Sequence, residues 1–452
     1  MIVEVEKSAN SGKLKMKEKL SYAAGDLASN IVFQGLSLLI LFYWTEKAGI
    51  SAAAAGVILL ISRTFDGFTD VIFGIIVDKT KSKHGKARPY LLWLSLPLAL
   101  SLTITFWSPN TSSNMVNIMY AFITYNLTMI IYTGINIPYG VLSAKMTNDQ
   151  QERGVLSILR GAGAMIAILL VSVVAPVLSE NIGYTLTFLV LGLVGAMFFF
   201  ITFKGTKERV GADENSDNVP LKVGVKSLFK NRPWILLLIA GCVSFISFTC
   251  RMATTAYFAQ YNLGDPKYVG ILSIISLPGM IVGMLASVPL YKKFGKVKSC
   301  IYTSVLLAII TIPFYFFIRI DKSLPLIVAY LIVSGAIMGV SQSGFFAMVA
   351  DSIEYGEWKT GVRVEGLTYS AASVGTKVGG GIGAAIVGGL LGLAGYKAGL
   401  DVQSTDVNIM IEWLYLWIPS IGCLIFAIIM MFNDVDKKYP QIMEDLAKRK
   451  ER

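Results

Sequence analysis

The sequence predicts an all-α integral membrane protein of twelve transmembrane helices arranged as two pseudo-symmetric six-helix bundles. Three observations carry this expectation: an apolar composition, twelve apolar runs of spanning length, and basic residues crowded into alternate loops. Of 452 residues, 54% are hydrophobic and 15% charged, whereas a soluble chain carries roughly a quarter charged residues. Mean hydropathy is +0.62.

A bilayer core about 30 Å thick asks for roughly 20 apolar residues per helix. Runs of that kind occupy 21–45, 52–77, 90–107, 115–144, 158–178, 184–203, 234–257, 268–290, 301–318, 324–349, 367–394 and 409–432. They lack the alternation over about ten residues that marks strands of a membrane barrel. The first run is too long for the apolar region of a cleaved signal peptide.

Lys7, Lys13, Lys15, Lys17 and Lys19 precede the first run, and 31 of the 40 Lys and Arg lie on that side of the spans. The opposite loops carry Lys47, Lys267, Arg319, Lys322 and Lys397. This is the positive-inside pattern, so both termini are expected in the cytoplasm of a plasma-membrane protein. The net charge of +11 therefore reads as topology and gives no nucleic-acid footprint. Cys242, Cys250, Cys300 and Cys423 sit in or beside helices without metal-ligand spacing and read as small apolar residues.

The plan is an N-terminal segment (1–20), a six-helix bundle (21–203), a central linker (204–233), a second bundle (234–433) and a charged tail (434–452) that reads as solvated. The linker is the only long hydrophilic insert. A short internal repeat supports two related halves: "GIIVDKTKSKHGKARP" follows the second run and "LYKKFGKVKS" follows the eighth. Parallel six-helix repeats occur in major facilitator transporters, with the substrate site between the halves near the midplane.

Asp26, Arg63, Asp66, Asp70, Arg160, Arg251 and Lys377 fall inside the runs. Each charge at the bilayer centre costs roughly 2.5–3.5 kcal/mol, so three on the second helix would cost about 8–10 kcal/mol facing lipid. At 100° per residue Arg63, Asp66 and Asp70 share an arc of about 60°, and this arc must face protein or a wet cavity. Asp66 and Asp70 are one turn apart, close enough to share one cation or one proton. A simple ion pair with Arg63 leaves the second aspartate unexplained.

Polar stripes recur on other helices: Asp26, Asn30 and Gln34; Asn126, Thr133 and Asn136; Tyr369, Ser373, Thr376 and Lys377. One such residue alone can bond its own backbone or a neighbour. Together, hydroxyls, amides, carboxylates and a guanidinium suit a polyhydroxyl ligand. His84 lies in a basic loop and reads as solvated or packed near a gate. The lone histidine and scattered cysteines supply no catalytic or structural metal constellation, so no enzyme is expected.

Through "YAAGDLASN", "RTFDGFTDVIFGIIVDKTKSKHGKARP", "GINIPYG", "DQQERGVLSILR", "ADSIEYGEWKTGVRVEG" and "YSAASVGTKVGG", the chain resembles the glycoside–pentoside–hexuronide:cation symporters, typified by melibiose permease, nearly end to end. The resemblance implies a major facilitator fold and a monomeric sugar transporter, without cofactor, working by alternating access. Its partners would be a small sugar, a coupling ion (H+ or Na+) and the bilayer. It assigns Asp66, Asp70 and Thr133 to the cation site, with Na+ at Asp66 and Asp70 as one option; Thr69, at the family's asparagine position, and Arg63, on the same arc, complete the candidate set. It assigns Asp26, Arg160 and Lys377 to the sugar, with Asn136 and Gln342 at family sugar-site positions, and the polar stripes add Asn30 and Ser373. Arg153, Asp351, Glu357 and Arg363 are candidate gate residues.

Departures sharpen the expectation. Thr69 stands where melibiose permease has asparagine, which weakens a sodium preference. Asn136 replaces a sugar-binding aspartate, while Gly140 and Gln342 stand in place of tryptophans. With two indole platforms gone, the pocket is more similar to those of xyloside or pentoside permeases; Phe345 or Phe346 could offer a substitute face or simply pack. A sodium-coupled galactoside or glucuronide symporter, and a lysolipid transporter of the same fold, are the alternatives.

Overall fold

A computed structural model describes residues 14–109, 111–147, 149–210, 221–320 and 323–450. Among these residues the protein is all-helical, and the chain divides into two compact units, Met1–Asn215 and Ser216–Arg452.

The first unit contains α1 (Met16–Glu46), α2 (Ala52–Lys79), α3 (Arg88–Trp93), α4 (Ser95–Thr105), α5 (Asn114–Met146), α6 (Gln150–Ile182) and α7 (Tyr184–Gly205). The second contains α8 (Leu221–Lys230), α9 (Arg232–Tyr257), α10 (Tyr268–Ile274), α11 (Ser276–Phe294), α12 (Lys296–Ile320), α13 (Leu324–Thr360), α14 (Glu365–Leu393), α15 (Thr405–Glu412), α16 (Ile418–Met431) and α17 (Val435–Lys450). Single π-helical turns at Phe258–Asn262 and Trp413–Trp417 extend α9 and join α15 to α16.

Each of the twelve apolar runs meets a helical segment. Among the described residues, ten helices are long and apolar enough to cross a membrane. The other two runs correspond to α2, which carries Arg63, Asp66 and Asp70, and to the short pair α3–α4, which is broken at Leu94.

Local chemistry sets several helix ends. Asp149 Oδ1 accepts from Gln151 N at 2.8 Å and opens α6. Asn231 Oδ1 accepts from Trp234 N at 3.1 Å and opens α9, with Pro233 in its first turn. Gly361, at φ 71°, closes α13 by donating to Glu357 O.

In the first unit α1 is the central helix, packed along α6 and α7; it buries Ile31 and Leu38, and Tyr22 and Trp44 pack on Tyr139 and Tyr125 of α5. In the second, α9 is flanked by α14 and α16, and α11 lies along α13. That last pairing is written in glycine. "GMIVG" on α11 (Gly279, Gly283) faces "GAIMG" on α13 (Gly335, Gly339), and a Cβ on any of the four would strike a backbone carbonyl of the opposite helix. Small residues four apart let two backbones touch where lipid offers no hydrophobic drive.

The loop repeat has a structural counterpart in each unit. Gly85 at φ 100° opens a turn whose next three amides, Lys86, Ala87 and Arg88, donate to the Glu208 carboxylate at 2.9–3.0 Å. Gly295 at φ 83° precedes Val297, whose amide donates to Asp436 Oδ2 at 2.7 Å. A side chain at either glycine would press on that carboxylate.

The first part of the central linker is stitched to the first unit. Arg209 N and Val210 N donate to Lys145 O, and the Arg209 guanidinium pairs with Glu18 at 2.6 and 3.0 Å. The tail departs from its solvated reading. It forms α17, which buries Ile442 and Leu446 against Tyr355 and Trp358. Trp358 Nε1 also donates to Asp445 Oδ2 at 2.9 Å. The i, i+4 spacing of Ile442 and Leu446 carries this apolar stripe through an otherwise charged sequence.

Candidate functional site

Four helices of the first unit bring the singled-out residues together in two adjoining clusters. On α2, Asp66 is buried, and Thr133 of α5 donates its hydroxyl to Asp66 Oδ1 at 2.7 Å. Thr69, also buried, donates to the Asp66 backbone carbonyl at 2.9 Å. One turn earlier along the same seam, Asn126 Nδ2 donates to Ser62 Oγ at 2.8 Å. Asp70 is half-buried on α2, a turn beyond Asp66.

The second cluster joins α1 to α6. Arg160 Nε donates to Asp26 Oδ1 at 2.7 Å, and Asn30 Nδ2 donates to Asp26 Oδ2 at 3.1 Å. The Asp26 side chain is 8% exposed, whereas that of Arg160 is 40% exposed. The guanidinium lies over the Tyr139 ring at 5.2 Å. Tyr139 in turn stacks on Tyr22 and donates to the Tyr22 carbonyl at 2.9 Å.

Residues absent from the sequence expectation bridge the clusters. Ser29 Oγ donates to Asn136 Oδ1 at 3.1 Å and lies 3.0 Å from the Tyr132 hydroxyl. Tyr132 stacks on Phe33, and Phe33 carries the Arg63 guanidinium at 4.9 Å. Arg63 Nη2 donates to Ser37 Oγ at 3.3 Å. The charge expected to face the two aspartates is thus steered toward α1 as well. Ser29, Phe33 and Ser37 sit one turn apart on α1 beginning three residues after Asp26, and that period is the signal that would have found them.

In the second unit, Gln342 on α13 and Lys377 on α14 are half-buried, and the Ser373 side chain lies outside the described residues, as does that of Tyr369. Phe345 belongs to the core with Leu237, Ala240 and Met348, whereas Phe346 is exposed. Arg251 is held by neutral groups: Tyr415 O, Ser334 Oγ, the Tyr330 hydroxyl and Met338 Sδ.

The gate candidates find partners inside their own units. Arg153 donates to Thr147 O and Ala144 O. Asp351 accepts from Lys296 Nζ, and Arg363 pairs with Glu357 at 2.6 Å. His84 packs edge-on against Phe203 at 5.4 Å. Glu208, which sequence reading left unassigned, proves to be the anchor of that loop.

Residues 21–437 match the family model described as MFS/sugar transport protein. The chain belongs to that family. Among curated relatives of this sugar-transporter family, an isoprimeverose transporter of Lactiplantibacillus pentosus is 31% identical over 96% of this chain and 91% of its own length. A glucuronide carrier protein homolog of Escherichia coli K12 is 33% identical over 97% of both chains. A putative glycoside/cation symporter of the same organism, YagG, is 29% identical over 97% of this chain and 96% of its own.

Solved structures agree on fold. The nucleoside transporter NupG superposes with a TM-score of 0.63 at 15% identity, over 92% of this chain and 98% of its own. A bacterial homolog of the human lysosomal transporter Spinster gives 0.65 at 11%, over 96% and 99%. The protein is therefore a multi-pass membrane protein of the major facilitator fold.

Proposed function

We propose that the protein imports a glycoside or pentoside, a xyloside or related small oligosaccharide, by symport with H+ or Na+ across the plasma membrane, both termini facing the cytoplasm. The observation that carries this reading is that α1, α2, α5 and α6 hold both the Asp66–Thr133 pair and the Asp26–Arg160 pair, with Asn136, Ser29, Tyr132, Phe33 and Arg63 linked to one another across the same α1, α2 and α5. Asp66, Asp70, Thr69 and Thr133 take the cation, with Arg63 balancing their charge. Asp26, Asn30, Asn136 and Arg160 take sugar hydroxyls; Gln342, Ser373 and Lys377 are the second unit's candidate sugar residues.

Arg160 commits its Nε to Asp26 while 40% of its side chain stays exposed. The remaining edge of the guanidinium can meet a ligand in two-point fashion. A proton is favoured over sodium because Thr69 replaces a carbonyl-bearing amide. Cation arrival at Asp66 and Asp70 removes negative charge, which favours sugar at the adjoining cluster and commits the carrier to inward release. One charge moving through 100 mV supplies about 2.3 kcal/mol, enough for roughly fifty-fold accumulation at one-to-one coupling.

A glucuronide substrate is the second reading, favoured by the same open guanidinium edge, which would take a carboxylate. Proteoliposomes given α- and β-xylosides, galactosides, glucosides and glucuronides, under separately imposed pH and Na+ gradients, test both. Accumulation of a xyloside under a pH gradient supports the first reading. Uptake confined to glucuronides supports the second, and no gradient-driven glycoside uptake at all refutes symport.

A further inference from the structure

We propose that α8 lies in the headgroup layer of the leaflet bordering the Lys/Arg-rich loops and binds anionic phospholipid there. Its inner face is fixed to the second unit. Gly224, Ser227 and Leu228 are buried, and Ser227 shares a 2.7 Å hydrogen bond with Thr360. At its end Asn231 donates to Ser352 O at 2.6 Å while capping α9. One residue therefore separates α8 from a helix long and apolar enough to cross the membrane, which places α8 at the end of a candidate span.

On the outer face apolar residues flank the lysines on both sides, with Val223, 44% exposed, on one side and Val225 and Phe229 on the other. Val225 is 37% exposed and Phe229 70% exposed. At 100° per residue these two form a ridge beside the buried arc. Lys226 and Lys230, both exposed, form the next ridge, and Lys222 continues it in sequence. Arg232 follows, and no Asp or Glu occurs from 221 to 233.

A phenylalanine left this open to water is unfavourable, and lysines beside it are not neutralised within the segment. Both are accommodated when the apolar ridge dips below the glycerol level and the ammonium groups stay among phosphates. The fold keeps Lys226 and Lys230 off the protein and Phe229 beside them, a geometry matched to a negatively charged lipid surface.

The test uses the full chain in nanodiscs of phosphatidylcholine, with or without phosphatidylglycerol. A fluorophore on Phe229→Cys, with labelled wild type as background, should be quenched by lipids carrying a shallow spin label, more strongly when phosphatidylglycerol is present. Lys226→Gln/Lys230→Gln should lower retained phosphatidylglycerol by up to about fivefold per lysine at low salt. Phe229→Ser should lower it less, and the tail pair Lys437→Gln/Lys438→Gln should leave it unchanged. Quenching by aqueous iodide alone, equal loss in the tail control, or shielding of the probe only by soluble polyglutamate (an acidic protein partner) would each overturn the proposal.

Discussion

The Thr133 hydroxyl donates to Asp66 Oδ1 at 2.7 Å across 67 residues of sequence, joining two helices at a buried carboxylate. A hydrogen bond to a charged group contributes about 1.5–3 kcal/mol. Because the donated bond favours the ionised carboxylate, in a proton-coupled carrier Thr133→Val should lower the H+ concentration for half-maximal uptake by roughly tenfold to a hundredfold. Thr133→Ser should stay near wild type. Equal ion dependence of both variants in vesicles would show that the bond does not serve coupling.

Removing the charge is a stronger intervention. Asp66→Asn should abolish uphill accumulation while sugar exchange or binding persists. Normal gradient-driven accumulation by this variant would sink the coupling role.

At the neighbouring cluster the expected loss is of binding itself. Asp26→Ala or Arg160→Ala should abolish sugar binding measured by calorimetry on purified protein. Arg160→Ala leaves the buried Asp26 carboxylate uncompensated, a cost of about 3–5 kcal/mol, whereas Asp26→Ala leaves a half-exposed guanidinium and costs less. Expression and thermal midpoint must accordingly be read beside affinity. Wild-type affinity in a folded variant refutes the assignment.

The glycine seam makes a stability prediction. Gly283→Ala should push a methyl into the Ala336 carbonyl on α13, costing about 1–3 kcal/mol. The thermal midpoint in detergent should fall by several degrees. Gly389→Ala meets open space and should not lower it comparably.

Glu208 is the last test. Its carboxylate takes three amides, so Glu208→Ala leaves buried or half-buried donors unpaired at about 1–3 kcal/mol. Hydrogen exchange at Lys86, Ala87 and Arg88 should accelerate at least tenfold, on the order of 1.4 kcal/mol. Unchanged protection would mean that the turn holds without its anchor.

Much of the molecule was legible in one dimension. Hydropathy marks spans because lipid requires about 20 apolar residues in a row, and the 3.6-residue period puts Arg63, Asp66 and Asp70 on one arc without knowledge of any neighbour. The same reasoning missed Ser29, Phe33 and Ser37, whose side chains are ordinary in apolar helices and acquire meaning only from Asn136, Tyr132 and Arg63. It missed Glu208 because a carboxylate in a polar linker looks solvated until a loop more than a hundred residues earlier folds beneath it.

By itself, then, the sequence determined class, the apolar helical runs and which helix carries the paired aspartates, since these follow from local composition and helical period. Tertiary structure decided which hydroxyl meets Asp66, which carboxylate meets Arg160, and that the tail docks as a helix. Those choices depend on the register between helices, set by close approaches such as Gly163 of α6 against the Ala23 carbonyl of α1, and no local pattern encodes a register between segments far apart in the chain.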